Sequence, residues 1–118
     1  MSFRFRNFSV YKEILDFIRE IYQMTEMFPK KEVFGLTGQI KRASTSIALN
    51  LAEGSDRGSD KEFKRFINIS IGSANEVVAV LDIALDNKYI DRKTHNALLE
   101  KSEKIVRQLS TLAQRLTN

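Results

Sequence analysis

Apolar residues recur along this chain at helical spacing in four blocks, with short polar or glycine-marked links between them. In the first block Val10, Ile14, Phe17, Ile18 and Ile21 fall on one stripe, while Lys12, Asp16, Arg19 and Gln23 fall on the other side. Pro29 stops the pattern, so a helix is predicted over about 9–27. In the second block Leu36, Ile40, Ala43, Ile47 and Leu51 share a face, giving a helix over about 35–53. Gly54 follows where that pattern ends, the place at which a left-handed residue commonly closes a helix. Ser59-Asp60-Lys61-Glu62 then reads as a capping box opening a third helix over about 60–87. Its core stripe is Phe63, Phe66, Ile67, Ser70, Ala74, Val77, Leu81 and Leu85. Asp91 is the expected cap of a fourth helix over about 91–117, where Leu98, Ser102, Ile105, Leu109, Leu112 and Leu116 face in. Glu100, Lys104, Arg107 and Gln114 point away from that stripe.

Short links between successive helices make them antiparallel neighbours. The fold predicted is therefore all-α, an antiparallel up-down-up-down four-helix bundle formed by one domain over 1–118. A third helix of that length reaches about 40 Å at ~1.5 Å per residue, longer than a compact globule of this size is wide, so the bundle must be elongated.

The third helix carries more apolar residues than one stripe needs. Ile69, Val80 and Ile83 lie away from its core stripe, with Gly72, Ser73 and Ala79 among them, and on the second helix Leu49 lies opposite the core beside Arg42 and Thr45. Exposed together they would make a contiguous apolar patch, which a partner subunit explains better than water does. Leu49, Ile69, Gly72, Ser73, Val80 and Ile83 are accordingly the expected homo-oligomer interface. The alternative is a bundle core wide enough to take both stripes of the third helix.

Composition narrows the function classes. Apolar residues make up 42% and charged residues 29%, with a single proline, which is the balance of a folded chain. No cysteine is present, which excludes disulfides, thiolate metal sites and a cysteine nucleophile, and suits a reducing cytoplasm. No uninterrupted apolar run approaches the ~20 residues that span a bilayer, and a cytoplasmic chain without signal peptide or membrane contact is expected. The net charge of +4 tilts the balance towards an anionic partner such as RNA.

Two groups of polar residues are candidates for a site. Gln39, Ser46, Asn50 and Glu53 line one flank of the second helix, beside the core. They read as a structural polar network that fixes helix register, because unpaired buried amides and carboxylates cost on the order of 1 to 3 kcal/mol; the alternative is a ligand or phosphate pocket. Lys41, Arg42, Arg57, Lys61, Lys64 and Arg65 are expected to cluster at the corner between the second and third helices, as a nucleic-acid-binding surface. Glu53, Asp56, Asp60 and Glu62 are interleaved with them, so intrahelical ion pairs compete with that reading. No aromatic platform is expected beside the patch, which directs binding to backbone or shape. Arg4, Arg6, Lys30 and Lys31 could extend that surface, from the opposite end of the first helix or the loop that follows it. His95 is the only histidine, and position 92 is arginine, so the Glu-x-x-His ligand pair of di-iron bundles is missing. With no phosphate loop, dinucleotide fingerprint or zinc spacing either, no catalytic residue, metal or cofactor is assigned.

The run from Gln39 to Gly54 resembles the signature of the bacterial four-helix bundle family known as 23S rRNA intervening-sequence or S23 ribosomal proteins. Gln39, Arg42, Ala43, Ser46, Ile47, Asn50, Ala52, Glu53 and Gly54 carry the likeness, and Phe28-Pro29-Lys30 and Phe34-Gly35-Leu36-Thr37 resemble its upstream block. Ala48 departs from it, since many members carry a proline there. The resemblance implies a five-fold ring of bundles, hence a pentamer, and a kinship with accessory subunits of diversity-generating retroelements, which bind a reverse transcriptase and nucleic acid through basic surfaces. The function expected is a non-enzymatic, self-associating scaffold or adaptor on structured RNA or a ribonucleoprotein. A protein-only adaptor and a small-ligand carrier using the polar flank of the second helix are the competing readings.

Overall fold

A computed structural model of the chain describes residues 3–116. Four helices make up the fold: α1 over Ser9–Met24, α2 over Leu36–Gly54, α3 over Asp60–Asp86 and α4 over Arg92–Gln114. Single 3-10 turns occur at Arg4–Asn7, Thr25–Met27 and Lys30–Glu32. The second of these carries the first helix on to Met27, as its pattern predicts. The last residue expected in the fourth helix, 117, lies outside the described residues.

Each helix packs on the two that precede and follow it, and α4 closes back onto α1. This is the up-down-up-down bundle, with extents of 44 × 23 × 20 Å. The long axis matches α3, whose 27 residues set it. The core is continuous from Val10, Ile14, Phe17 and Ile21 through Ile40, Ile47 and Leu51 to Ile67, Val77, Leu81, Ile105 and Leu109.

The tightest pair is α2 and α3, and small residues explain it. Ala43, Ser70 and Ala74 are buried where the helices face each other, and the Ser70 hydroxyl donates to the Ile47 carbonyl at 2.9 Å. Gly54 corrects the expectation placed on it. It is the last residue of α2 and does not have positive φ; a Cβ there would lie 2.4 Å from the Phe66 Cβ. Glycine is needed because α3 passes against it. The left-handed residue of this corner is Gly58, at φ 86°.

The caps follow the sequence in part. Ser59 Oγ accepts from the Glu62 N–H at 3.1 Å, and Asp91 Oδ1 accepts from the Thr94 N–H at 2.8 Å. The Thr94 side-chain hydroxyl first, and then this N–H, hold the Asp91 carboxyl below the usual carboxylate range. Glu62 does not complete the capping box; its carboxylate turns to Arg65. The opposite end of the bundle is tied by Glu32, whose carboxylate accepts from the Leu36 N–H at 3.1 Å and the Tyr89 hydroxyl at 2.9 Å. One side chain thus caps α2 and joins the α1–α2 and α3–α4 links.

Among the described residues, α3 is the one helix that could cross a membrane by length and composition, with a mean hydropathy of 1.4 in its most apolar window. Counting only uninterrupted apolar runs misses this. Within the bundle the surplus has a local explanation: nine of its residues are buried against the other helices, which makes it a weak candidate for a membrane span.

Candidate nucleic-acid interface

The antiparallel order brings the α2–α3 corner, the start of α1 and the end of α4 to one end of the bundle. Of the six cations assigned to the corner, Arg57, Lys61, Lys64 and Arg65 are there. Lys41 and Arg42 are not, which corrects the expected cluster: they lie 12 or more residues before Gly54, about 20 Å up the helix. Lys41 rests its ammonium 4.8 Å from the Tyr22 ring in the α1–α2 groove. Arg42 folds back against Gly38.

Arg4 takes their place. Its Nε donates to the Ser55 carbonyl at 2.9 Å and its guanidinium lies over Phe63, 5.1 Å from the centroid. Arg57 and Arg65 flank Phe66 at 5.0 and 4.7 Å from its centroid. Aromatic rings therefore do underlie the patch, contrary to the sequence reading. Arginines cover them, and Phe66 is nearly buried, so they hold the cations in place rather than offering a face for bases.

Electrostatically the corner is half neutralised. Arg57 pairs with Glu53 at 3.4 Å and Arg65 with Glu62 at 3.2 Å, both at exposed positions. The Arg65 hydrogen bonds hold the Glu62 carboxyl below its usual range. Exposed pairs of this kind add little stability, but they reduce the charge presented to a phosphate.

The polar flank of α2 divides into three parts. Asn50 Nδ2 donates to the Ser46 carbonyl and hydroxyl oxygens at 2.9 Å, and Ser73 Oγ donates to Ser46 Oγ at 2.9 Å, bridging to α3. Gln39 reaches Glu76 at 3.5 Å, further along the same groove. Glu53 belongs to the corner, with Arg57.

The outer face of α2 and α3 exposes Leu49 at 66%, Ile69 at 39% and Ile83 at 45%, and a Cβ on Gly72 would meet nothing within 4 Å. Val80 is a correction: at 2% exposed it belongs to the core, beside the buried Leu81 and Ala84. Ser73 faces Ser46 across the α2–α3 groove, at the rim of that apolar surface.

One feature was not read from the sequence: Phe34, in the α1–α2 link, is 96% exposed; a phenylalanine beside a glycine and outside every stripe was the available signal. His95, the only histidine, is buried at the start of α4 with Nε2 2.8 Å from Asp82 Oδ1 and Nδ1 without a partner among the described residues. A packing role is what its place at the edge of the fourth helix's core stripe suggests.

The fold is thus that of an antiparallel helical bundle with a basic end and an apolar outer face on its middle pair. Residues 6–111 match the model of the 23S rRNA-intervening sequence protein family, and the chain belongs to that family. It is similar to a solved structure from Bacteroides thetaiotaomicron, described as a protein with unknown function from the S23 ribosomal protein family. The two are 25% identical, the match covers 89% of this chain and 95% of that one, and the TM-score is 0.80. Comparison with curated proteins gives no match.

Proposed function

We propose that this chain is a non-enzymatic, self-associating helical bundle that acts in the cytoplasm as a scaffold or adaptor on structured RNA or a ribonucleoprotein. The observation that carries the reading is the outer α2–α3 face, where Leu49, Ile69 and Ile83 stay exposed around Gly72. A second copy seated there would remove this apolar area from water, and a glycine lets backbones approach. By the family resemblance, the assembly would be a five-membered ring. Repetition around a ring multiplies a weak basic surface, since each further contact becomes intramolecular.

Light scattering at micromolar concentration tests the assembly. Oligomers should dissociate in Leu49→Asp/Ile69→Asp, and a wild-type chain that is monomeric throughout removes the proposal. Titration of a structured RNA in low salt tests the partner, because phosphate contacts make affinity fall steeply with salt.

The ion pairs at Arg57 and Arg65 favour a second reading, a protein adaptor without direct nucleic-acid contact. It predicts RNA affinity at background while the assembly stays intact.

A further inference from the structure

Positive charge also gathers at the two chain ends, although one of those cations, Arg4, reaches the α2–α3 corner. Residues 1–12 and 104–118 hold Arg4, Arg6, Lys12, Lys104, Arg107 and Arg115, six of the nineteen cations and none of the fifteen acids. The ninety-one residues between them are net negative by two. Antiparallel packing of α1 on α4 brings the two ends together, and an open cleft of about 630 Å³ lies between them. Its walls include Ser9 on α1, and Lys104, Arg107, Thr111 and Arg115 on or just after α4; Phe8 contributes to the floor.

Charge balance differs along the α1–α4 groove. At the inner margin of the cleft Glu13 pairs with Lys104 at 2.7 Å and accepts from Gln108, and further on Glu20 pairs with Lys101, so the groove is neutral there. At the cleft neither Arg107 nor Arg115 has an ion-pair partner among the described residues, and no acid occurs in the first turn of α1. Arg107 and Arg115 are eight residues apart, about 12 Å along the helix axis. A single phosphate can engage one of them, whereas a chain of phosphates can engage both in turn, with the Ser9 and Thr111 hydroxyls as further donors.

We propose that this chain-end cleft, rather than the α2–α3 corner, is the surface that takes the phosphate backbone of a nucleic acid. This rests on the RNA reading above and assigns it a place. The guanidinium groups at the corner are already committed to Glu53, Glu62 and the Phe66 ring, while those of the cleft are free to replace counterions.

The test compares two charge reversals in the full chain, Arg107→Glu/Arg115→Glu and Lys61→Glu/Arg65→Glu, using a labelled RNA hairpin from about 50 to about 200 mM salt. Circular dichroism and light scattering establish that each variant keeps its fold and assembly. The cleft variant should bind at least about tenfold more weakly at low salt and lose about two contacts from the salt slope, while the corner variant changes far less. Wild-type affinity in the cleft variant together with loss in the corner variant would overturn the assignment and leave RNA binding standing. Background affinity of the wild-type chain would sink both. Equal displacement of the hairpin by polyglutamate at matched charge would show a general polyanion trap, and would also overturn the assignment to nucleic acid.

Discussion

Two glycines in helices should respond to alanine with opposite sign, and the reason is visible in what surrounds them. Alanine is favoured over glycine within a helix by about 1 kcal/mol. At Gly72 a Cβ enters open space, so Gly72→Ala should stabilise the monomer by about that amount. At Gly54 the Cβ would lie 2.4 Å from Phe66 Cβ, 3.1 Å from Phe66 Cγ and 3.2 Å from Phe63 Cδ1. Relief requires α2 and α3 to part by more than an ångström at their tightest contact, because the nearest atom is a Cβ fixed to the α3 backbone. Overpacking costs about 1 to 3 kcal/mol, and an approach this close between two backbone-fixed Cβ atoms belongs in the upper part of that range, about 2 to 3 kcal/mol, which outweighs the gain in propensity. The expected result is a net loss of about 1 to 2 kcal/mol for Gly54→Ala. Urea denaturation of both variants, at a concentration that keeps them monomeric, reads the difference directly from the midpoints at unchanged m. A Gly54→Ala chain as stable as wild type, or more so, would show that the two helices are not in contact there and would refute the account of the corner.

Lys88 closes α3 at φ 64°, a conformation that costs a side-chain-bearing residue about 1 to 2 kcal/mol; Lys88→Gly should therefore raise the thermal midpoint by a few degrees in calorimetry. Glu32 is held below its usual pKa first by the Leu36 N–H and then by the Tyr89 hydroxyl, so its stabilising effect is present at neutral pH and fades as pH falls through the lowered value. Glu32→Gln should accordingly melt below wild type at neutral pH, with the gap closing in acid below the ordinary glutamate range; a gap constant with pH would contradict the assignment. Phe34→Ser should leave stability within about 0.5 kcal/mol of wild type by urea denaturation, because the ring is exposed, and a larger loss would mean that it packs against a neighbour. Asn50→Ala removes a hydrogen bond made within α2, so a cost near 1 kcal/mol with no change in assembly is expected; dissociation in light scattering would place Asn50 at a subunit contact.

The sequence by itself determined the four helices, the N-caps of the last two and most of the core, because each of these depends on residues close together in the chain. Val10, Ile14, Phe17 and Ile21 need only the 3.6-residue period to share a face, and Ser59 and Asp91 reach N–H groups three residues on. Tertiary structure decided what depends on distance across the bundle. Val80 lies at the edge of the α3 stripe, and only the width of the core turned it inward. The demand for glycine at position 54 comes from Phe66 on another helix, not from the helix end that the local pattern marks. Likewise Lys41 and Arg42 are near the corner in sequence but some 20 Å from it, because helical rise carries them up the bundle. Arg4 and Arg57, 53 positions apart, meet there because α1 runs antiparallel to α2. The acid-free chain ends are plain in the sequence as two separate runs; their union as one basic cleft exists only once α4 has folded back beside α1.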